Sequence, residues 1–212
     1  MKRFLLLCLI PFTTLVFPMA ATAAEFEEGV DYEVLSNPVP TNTGNKIEVL
    51  EFFWYGCPHC YNFEPVLKRW QETMPSDVEL IKQPAIFRPE WDLQARAYFA
   101  GQALGVLDKS HDAMFTAMHE MRKPLNTEAQ ILEVFKGIGV SEADFARAFK
   151  SFAVESKVRR ARELHKTYGV DSVPNVIVGG KYRTNASLAG ENKNVIKVVD
   201  FLIKKVRAES KK

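Results

Sequence analysis

Apolar residues recur along the chain with two different periods, and the points where one period gives way to the other lay out an order of elements. Ile47 to Tyr55 is rich in β-branched and aromatic residues and too short for a typical helix, which predicts a central strand covered on both faces. Glu51 is the oddity of that strand. Phe63, Val66, Leu67, Trp70 and Met74 then repeat at helical spacing, predicting a helix that starts near Cys57 and stops before Pro75. Pro58 suits its first turn, whereas Pro65 falls inside it and should bend the axis. Val78 to Lys82 reads as a second strand.

After Pro84 and Pro89 the pattern becomes helical throughout. Leu93, Ala97, Ala100 and Leu104 form one stripe, and Met114, Met118 and Met121 another, expected to be core. Ile131, Leu132, Phe135 and Ile138 form a third, entered through a capping box at Thr127 and Gln130 and closed by Gly137 and Gly139. Ser141 and Asp144 start a further helix with Phe145, Phe149 and Phe152 inward. A longer one carries Val154, Val158, Ala161, Leu164 and Tyr168. Strand character returns at Val173 to Val178, turns at Gly179-Gly180 and continues through Lys181-Tyr182-Arg183, a β-hairpin. Val195, Val198, Leu202 and Val206 mark the last helix.

The start of the chain follows a different logic. Lys2 and Arg3 precede an apolar segment from Phe4 to about Met19, and Ala21-Thr22-Ala23 supplies a small-x-small site. This is the pattern of a secretory signal peptide covering residues 1–23, cleaved near Ala23, rather than of a membrane anchor. The formal net charge of +2 is then accounted for by Lys2 and Arg3, so the mature chain is close to neutral. Nothing in that balance points to nucleic acid, although Lys204-Lys205 and Lys211-Lys212 are locally basic.

Of the 3 cysteines, Cys8 falls in the leader, which leaves Cys57 and Cys60 to an exported protein. A structural framework needs several spaced pairs, and structural zinc needs four protein ligands; one Cys-x-x-Cys supplies neither. His111, His119 and His165 lack close metal-ligand spacing and read as surface or partly buried helix histidines, so no metal site is expected. A dithiol at a strand-to-helix junction has another use. Two such sulfurs can close a small ring, and the free N–H groups and positive dipole end of the helix stabilise a thiolate. Cys57 sits at the helix end, while Cys60 should lie a turn deeper. The implied chemistry is disulfide exchange, which calls for no cofactor.

The run Phe52-Phe53-Trp54-Tyr55-Gly56-Cys57-Pro58-His59-Cys60-Tyr61, the helical block, and Val173-Pro174 ahead of Gly180-Lys181-Tyr182 together resemble the DsbA family of periplasmic thiol:disulfide oxidoreductases. The likeness runs over nearly the whole mature chain. It implies an α/β, thioredoxin-like fold with a helical insertion domain, divided as residues 24–88, an insertion at 89–165, and 166–212. It further implies that Cys57 exchanges with substrate thiols and that Cys60 resolves the intermediate. His59 would tune the potential, and Pro174 would be a cis-proline facing the disulfide. The backbone of Val173 would pair with an extended substrate. Glu51 corresponds to a buried acid able to move protons for Cys60; the alternative is an exposed position or an ion pair with Lys82. A solvated helix position is expected for Glu64. The implied partners are newly exported or unfolded proteins with cysteine thiols, and a DsbB-like membrane quinone reductase that restores the disulfide. Monomer is the expected state.

Overall fold

A computed structural model describes residues 25–210 of the chain; the leader with its cleavage site, Cys8 and Lys211-Lys212 lie outside them. The strand expected at the centre, β2 (Ile47–Phe53), is buried at every residue but its first. It pairs in parallel with β3 (Val78–Pro84) and antiparallel with β4 (Asn175–Val178). Beyond β4 lies β5 (Tyr182–Thr184), and beyond that the two-residue β1 (Glu33–Val34), giving the order β1-β5-β4-β2-β3. β1 was not foreseen, because two residues carry no readable alternation. At the hairpin, Gly179 and Gly180 both have positive φ, at 59° and 65°. A Cβ on Gly180 would stand 1.9 Å from the carbonyl oxygen of Val39, so that position accepts only glycine.

On one face of the sheet, Val49, Val176 and Val178 meet Phe63, Leu67 and Trp70 of α1 (Pro58–Thr73) and Val195, Val198 and Leu202 of α8 (Asn192–Glu209). On the other, Leu50, Phe52 and Ile177 pack with Ala85, Tyr168 and Val170. α1 runs continuously through Pro65, with Pro58 in its first turn. Between β3 and β4 come a short 3₁₀ turn (Pro89–Trp91), α2 (Asp92–Ala103), α3 (Leu107–His119), α4 (Glu128–Gly137), α5 (Glu142–Phe149) and α6 (Phe152–Thr167). The four-residue α7 (Ala186–Ala189) precedes α8. The core of this helical block is continuous with the end of β2: Phe53, Tyr55, Cys57 and Cys60 share one cluster with Tyr98, Met114, Phe115 and Phe135.

The capping signals hold. Thr127 Oγ1 accepts from Gln130 N at 3.3 Å, and Gln130 Oε1 reaches back to Asn126 N at 2.9 Å. Ser141 caps α5 by accepting from Asp144 N at 3.1 Å. Two apolar expectations fail, for the same reason. Met121 lies beyond the end of α3 and is 61% exposed, and Phe152 opens α6 behind its cap Ser151 and is 79% exposed. Both stripes were extended one turn past a helix boundary. Among the described residues, no helix is long and apolar enough to cross a membrane.

Candidate active site

The dithiol lies at the N-terminus of α1. Cys57 is its N-cap, with extended backbone, and its sulfur accepts from Cys60 N at 3.4 Å. Both cysteines are present as thiols and both are buried, Cys60 completely. They are nevertheless poised oppositely. The Cys60 thiol donates to Cys57 and, with the backbone N–H groups of Cys60 and His59 and the charge of His59, outweighs burial and brings the Cys57 thiol down to about 6. Burial, followed by the neighbouring Cys57 sulfur, pushes Cys60 far above the ordinary thiol range. At neutral pH Cys57 is a thiolate and Cys60 a thiol. Pro58 and His59 stand exposed beside them.

Across from the sulfurs lies the loop before β4. The Val173–Pro174 peptide bond is cis, and Cys57 Sγ lies 3.4 Å from Val173 O, to which it donates only in its protonated form. On the near side, Cys57 N donates to Trp54 O at 3.0 Å, closing a turn through Tyr55 and Gly56. Trp54 stacks on Trp91 with ring centroids 3.9 Å apart and planes within 5°. A Cβ on Gly56 would intrude to 2.3 Å from the Trp54 ring. The turn leading to Cys57 is thus pinned by an aromatic pair that tolerates only glycine beneath it.

Glu51 and Lys82 are register partners on β2 and β3, so their side chains leave the sheet on the same face, toward α1. They do not bond to each other. Glu51 is fully buried, and neither carboxylate oxygen has a hydrogen-bond partner among the described residues. Burial raises its carboxyl to about 8, against the opposing pull of Lys82. Lys82 instead donates to Glu64 Oε1 at 2.6 Å. Glu64, expected in solvent, is only 6% exposed. It follows Cys60 by one helical turn on the same face of α1, the spacing that turns it inward. Burial opposes its anion, but the hydrogen bond from His111 and the charge and hydrogen bonds of Lys82 prevail and hold its carboxyl down at about 2.

His111 also departs from expectation, being 4% exposed at the centre of this cluster. Its Nε2 is 2.9 Å from Glu64 Oε1, its Nδ1 is 2.9 Å from the Tyr55 hydroxyl, and Lys82 Nζ lies 3.2 Å from Nε2. Burial lowers the His111 pKa. A neutral imidazole beside a carboxylate carries its proton on Nε2, which donates to Glu64, while Nδ1 accepts from Tyr55. An ordered chain therefore runs from Lys82 through Glu64 and His111 to Tyr55, two residues before Cys57. Only the Cys60 and Glu64 spacing hinted at it in the sequence; the rest depends on α3 folding back over α1.

A buried-strand-to-helix dithiol, ionised at its first sulfur and facing a cis-proline loop on a five-stranded mixed sheet, defines a thioredoxin-like thiol:disulfide oxidoreductase. Comparisons with known proteins narrow this. The family model described as "DSBA-like thioredoxin domain" matches residues 91–191. The thiol:disulfide interchange protein DsbA of Pseudomonas aeruginosa is 38% identical over 212 residues, all of both chains; that of Pseudomonas syringae pv. tomato is 42% identical over 197 residues, 92% of each. The crystal structure of Pseudomonas aeruginosa DsbA superposes with a TM-score of 0.85 at 38% identity, covering 90% of this chain and 99% of that one. The oxidoreductase DsbA from Xylella fastidiosa gives 0.78 at 31% identity, covering 84% and 96%. The chain belongs to the DsbA family, and its activity is that of a protein dithiol oxidase, passing a disulfide to the thiols of other proteins.

Proposed function

We propose that Cys57 is the sulfur that meets the substrate and Cys60 the one that resolves. A substrate thiolate attacks Cys57 Sγ of the oxidised pair; a new S–S bond forms, the bond to Cys60 breaks, and Cys60 departs with the electron pair and takes up a proton. A second substrate thiolate then attacks the substrate sulfur of the mixed disulfide and expels Cys57, leaving an oxidised substrate and a reduced enzyme. The observation that carries this reading is the opposite ionisation of the two thiols. The lower-pKa sulfur is the better leaving group in the final step.

The surrounding residues take supporting roles in the same scheme. Val173 offers backbone groups beside Cys57 for an extended substrate segment, a recognition largely indifferent to side chains, with Pro174 shaping that loop. The helical block, 89–165, is an insertion into a thioredoxin-like unit formed by 24–88 and 166–212. Export by a leader of residues 1–23 places the enzyme in the periplasm as a monomer, where substrates are newly exported proteins with free thiols. Each turnover leaves a dithiol, so a DsbB-like membrane quinone reductase has to restore the Cys57 to Cys60 disulfide.

The test is the redox equilibrium of the purified mature protein in glutathione buffers, with free thiols trapped by an alkylating reagent. A potential well above that of thioredoxin supports the donor role; a thioredoxin-like value assigns a reductase or isomerase instead. In the same assay His59→Ser keeps the backbone N–H at that position and removes the side-chain charge. We expect the Cys57 pKa to rise by up to about one unit, or about 1.4 kcal/mol, making the enzyme less oxidising by up to about 30 mV. An unchanged equilibrium would remove His59 from the redox machinery.

A further inference from the structure

Two histidines of α3 converge on one residue of the active-site turn. His111 takes the hydroxyl of Tyr55, and His119, about two turns further along, takes its backbone carbonyl: His119 Nε2 donates to Tyr55 O at 2.7 Å. The His119 ring also lies flat on Tyr61, with centroids 4.7 Å apart and planes within 13°. Tyr61 is held in turn at its far end, its hydroxyl donating to Glu120 Oε1 at 2.8 Å. Tyr55 precedes the dithiol tetrad and Tyr61 follows it, so one imidazole touches the chain on both sides of Cys57 to Cys60. Tyr61 N donates to Cys57 O at 3.1 Å, which makes it part of the first hydrogen-bonded turn of α1.

We propose that His119 is a positioning residue for the dithiol, holding the loop before Cys57 and the first turn of α1 in one frame through its bond to Tyr55 O and its stack on Tyr61. The Cys57 thiolate depends on N–H groups of that first turn, and those bonds lose strength steeply when the donors tilt away. His119 never touches the sulfurs; it fixes the direction in which the donors point. This is also how the helical block acts on the chemistry, since His119 is the last residue of α3. The proposal rests on the reading of Cys57 as the ionised sulfur.

Two variants separate the contacts. His119→Phe keeps a ring against Tyr61 and removes the donor to Tyr55 O; His119→Gln keeps a donor and removes the stack. The readouts are the thiolate absorbance of Cys57 against pH and the equilibrium constant with glutathione. His119→Phe is expected to raise the Cys57 pKa by about half a unit and shift the equilibrium about threefold toward the disulfide form, with His119→Gln recovering part of the shift. Lower melting temperatures, equal in both redox states and with the Cys57 titration unmoved, would reduce His119 to a structural residue and overturn the proposal. If His119→Phe does not fold, Tyr61→Leu, which removes the stack together with the bond to Glu120 and leaves the bond from His119 to Tyr55 O, must move the titration in the same direction, with Tyr61→Phe, which loses only the bond to Glu120, leaving it unmoved, or the proposal fails. Wild type is titrated alongside: a Cys57 in the ordinary thiol range would overturn the reading of the dithiol itself, whereas a low wild-type value with unmoved variants overturns only the role of His119.

Discussion

Cys57→Ser is expected to reduce disulfide transfer to the uncatalysed background, whereas Cys60→Ser stops the cycle halfway. The two thiols share a helical turn, yet Cys57 is held down at about 6 and Cys60 is pushed far up by burial, so that near pH 7 about nine-tenths of Cys57 is thiolate. Cys60→Ser leaves this nucleophile intact and removes the group that would displace it. When mixed with an oxidised peptide, that variant should accumulate a covalent enzyme–peptide adduct, visible as a reducible mass increase. Cys57→Ser should form almost none, because a buried, protonated Cys60 is a poor nucleophile. Adduct formation at comparable rates in both variants would invert the assignment.

The same asymmetry makes the relative stability of the two redox states depend on pH. Only the dithiol form titrates at Cys57. A thiol whose pKa is lowered on folding, here from 9.0 to about 6, stabilises the folded reduced state fully above the unfolded pKa, and this is lost as pH falls through about 6. At pH 7 about one unit of the shift is realised, or about 1.4 kcal/mol. Below pH 6 the enzyme therefore loses this part of its oxidising drive.

The element order was legible because strands and helices impose different periods on the same chain. Caps such as Thr127 and Ser141 announced themselves through a partner three residues on. The dithiol was equally plain, being local in sequence. What stayed hidden was made of long-range contacts. His111 has no local signature that separates a surface histidine from one bonded between Tyr55 and Glu64; its role follows from α3 crossing the N-terminal half of α1. Lys82 faces Glu51 in register, as strand reasoning allows, yet its ammonium goes to Glu64. The reason is energetic. Glu64 offers both carboxylate oxygens within reach, and a partly buried ammonium settles where its charge and its donors are both satisfied. Met121 and Phe152 mark the other limit, since a periodic stripe does not say where a helix ends.

That choice leaves Glu51 buried without a partner among the described residues, and Glu51→Leu is expected to stabilise the protein at neutral pH while slowing its chemistry. The carboxyl is raised from 4.5 to about 8 in the folded chain, chiefly by burial. A raised pKa contributes stability that is complete below the unfolded value and is lost as pH rises through the folded one. Between pH 4.5 and 8 the unfolded chain ionises freely while the folded chain resists, costing about 3 kcal/mol by pH 7. Leucine removes this dependence and presents no unpaired polar atom to the core, so the variant should gain up to that amount at pH 7 in urea unfolding and little at pH 4. The kinetic consequence has the opposite sign. We propose that Glu51, which raises Cys60 when ionised but is protonated near pH 7, supplies the proton as the Cys60 thiolate leaves. Without it, the step in which substrate opens the disulfide should slow, most of all below pH 8, where the wild-type acid still holds its proton. A variant more stable and equally fast across that range would leave Glu51 a buried burden with no part in the exchange. One that is slower with an unchanged glutathione equilibrium would identify it as the proton donor to Cys60.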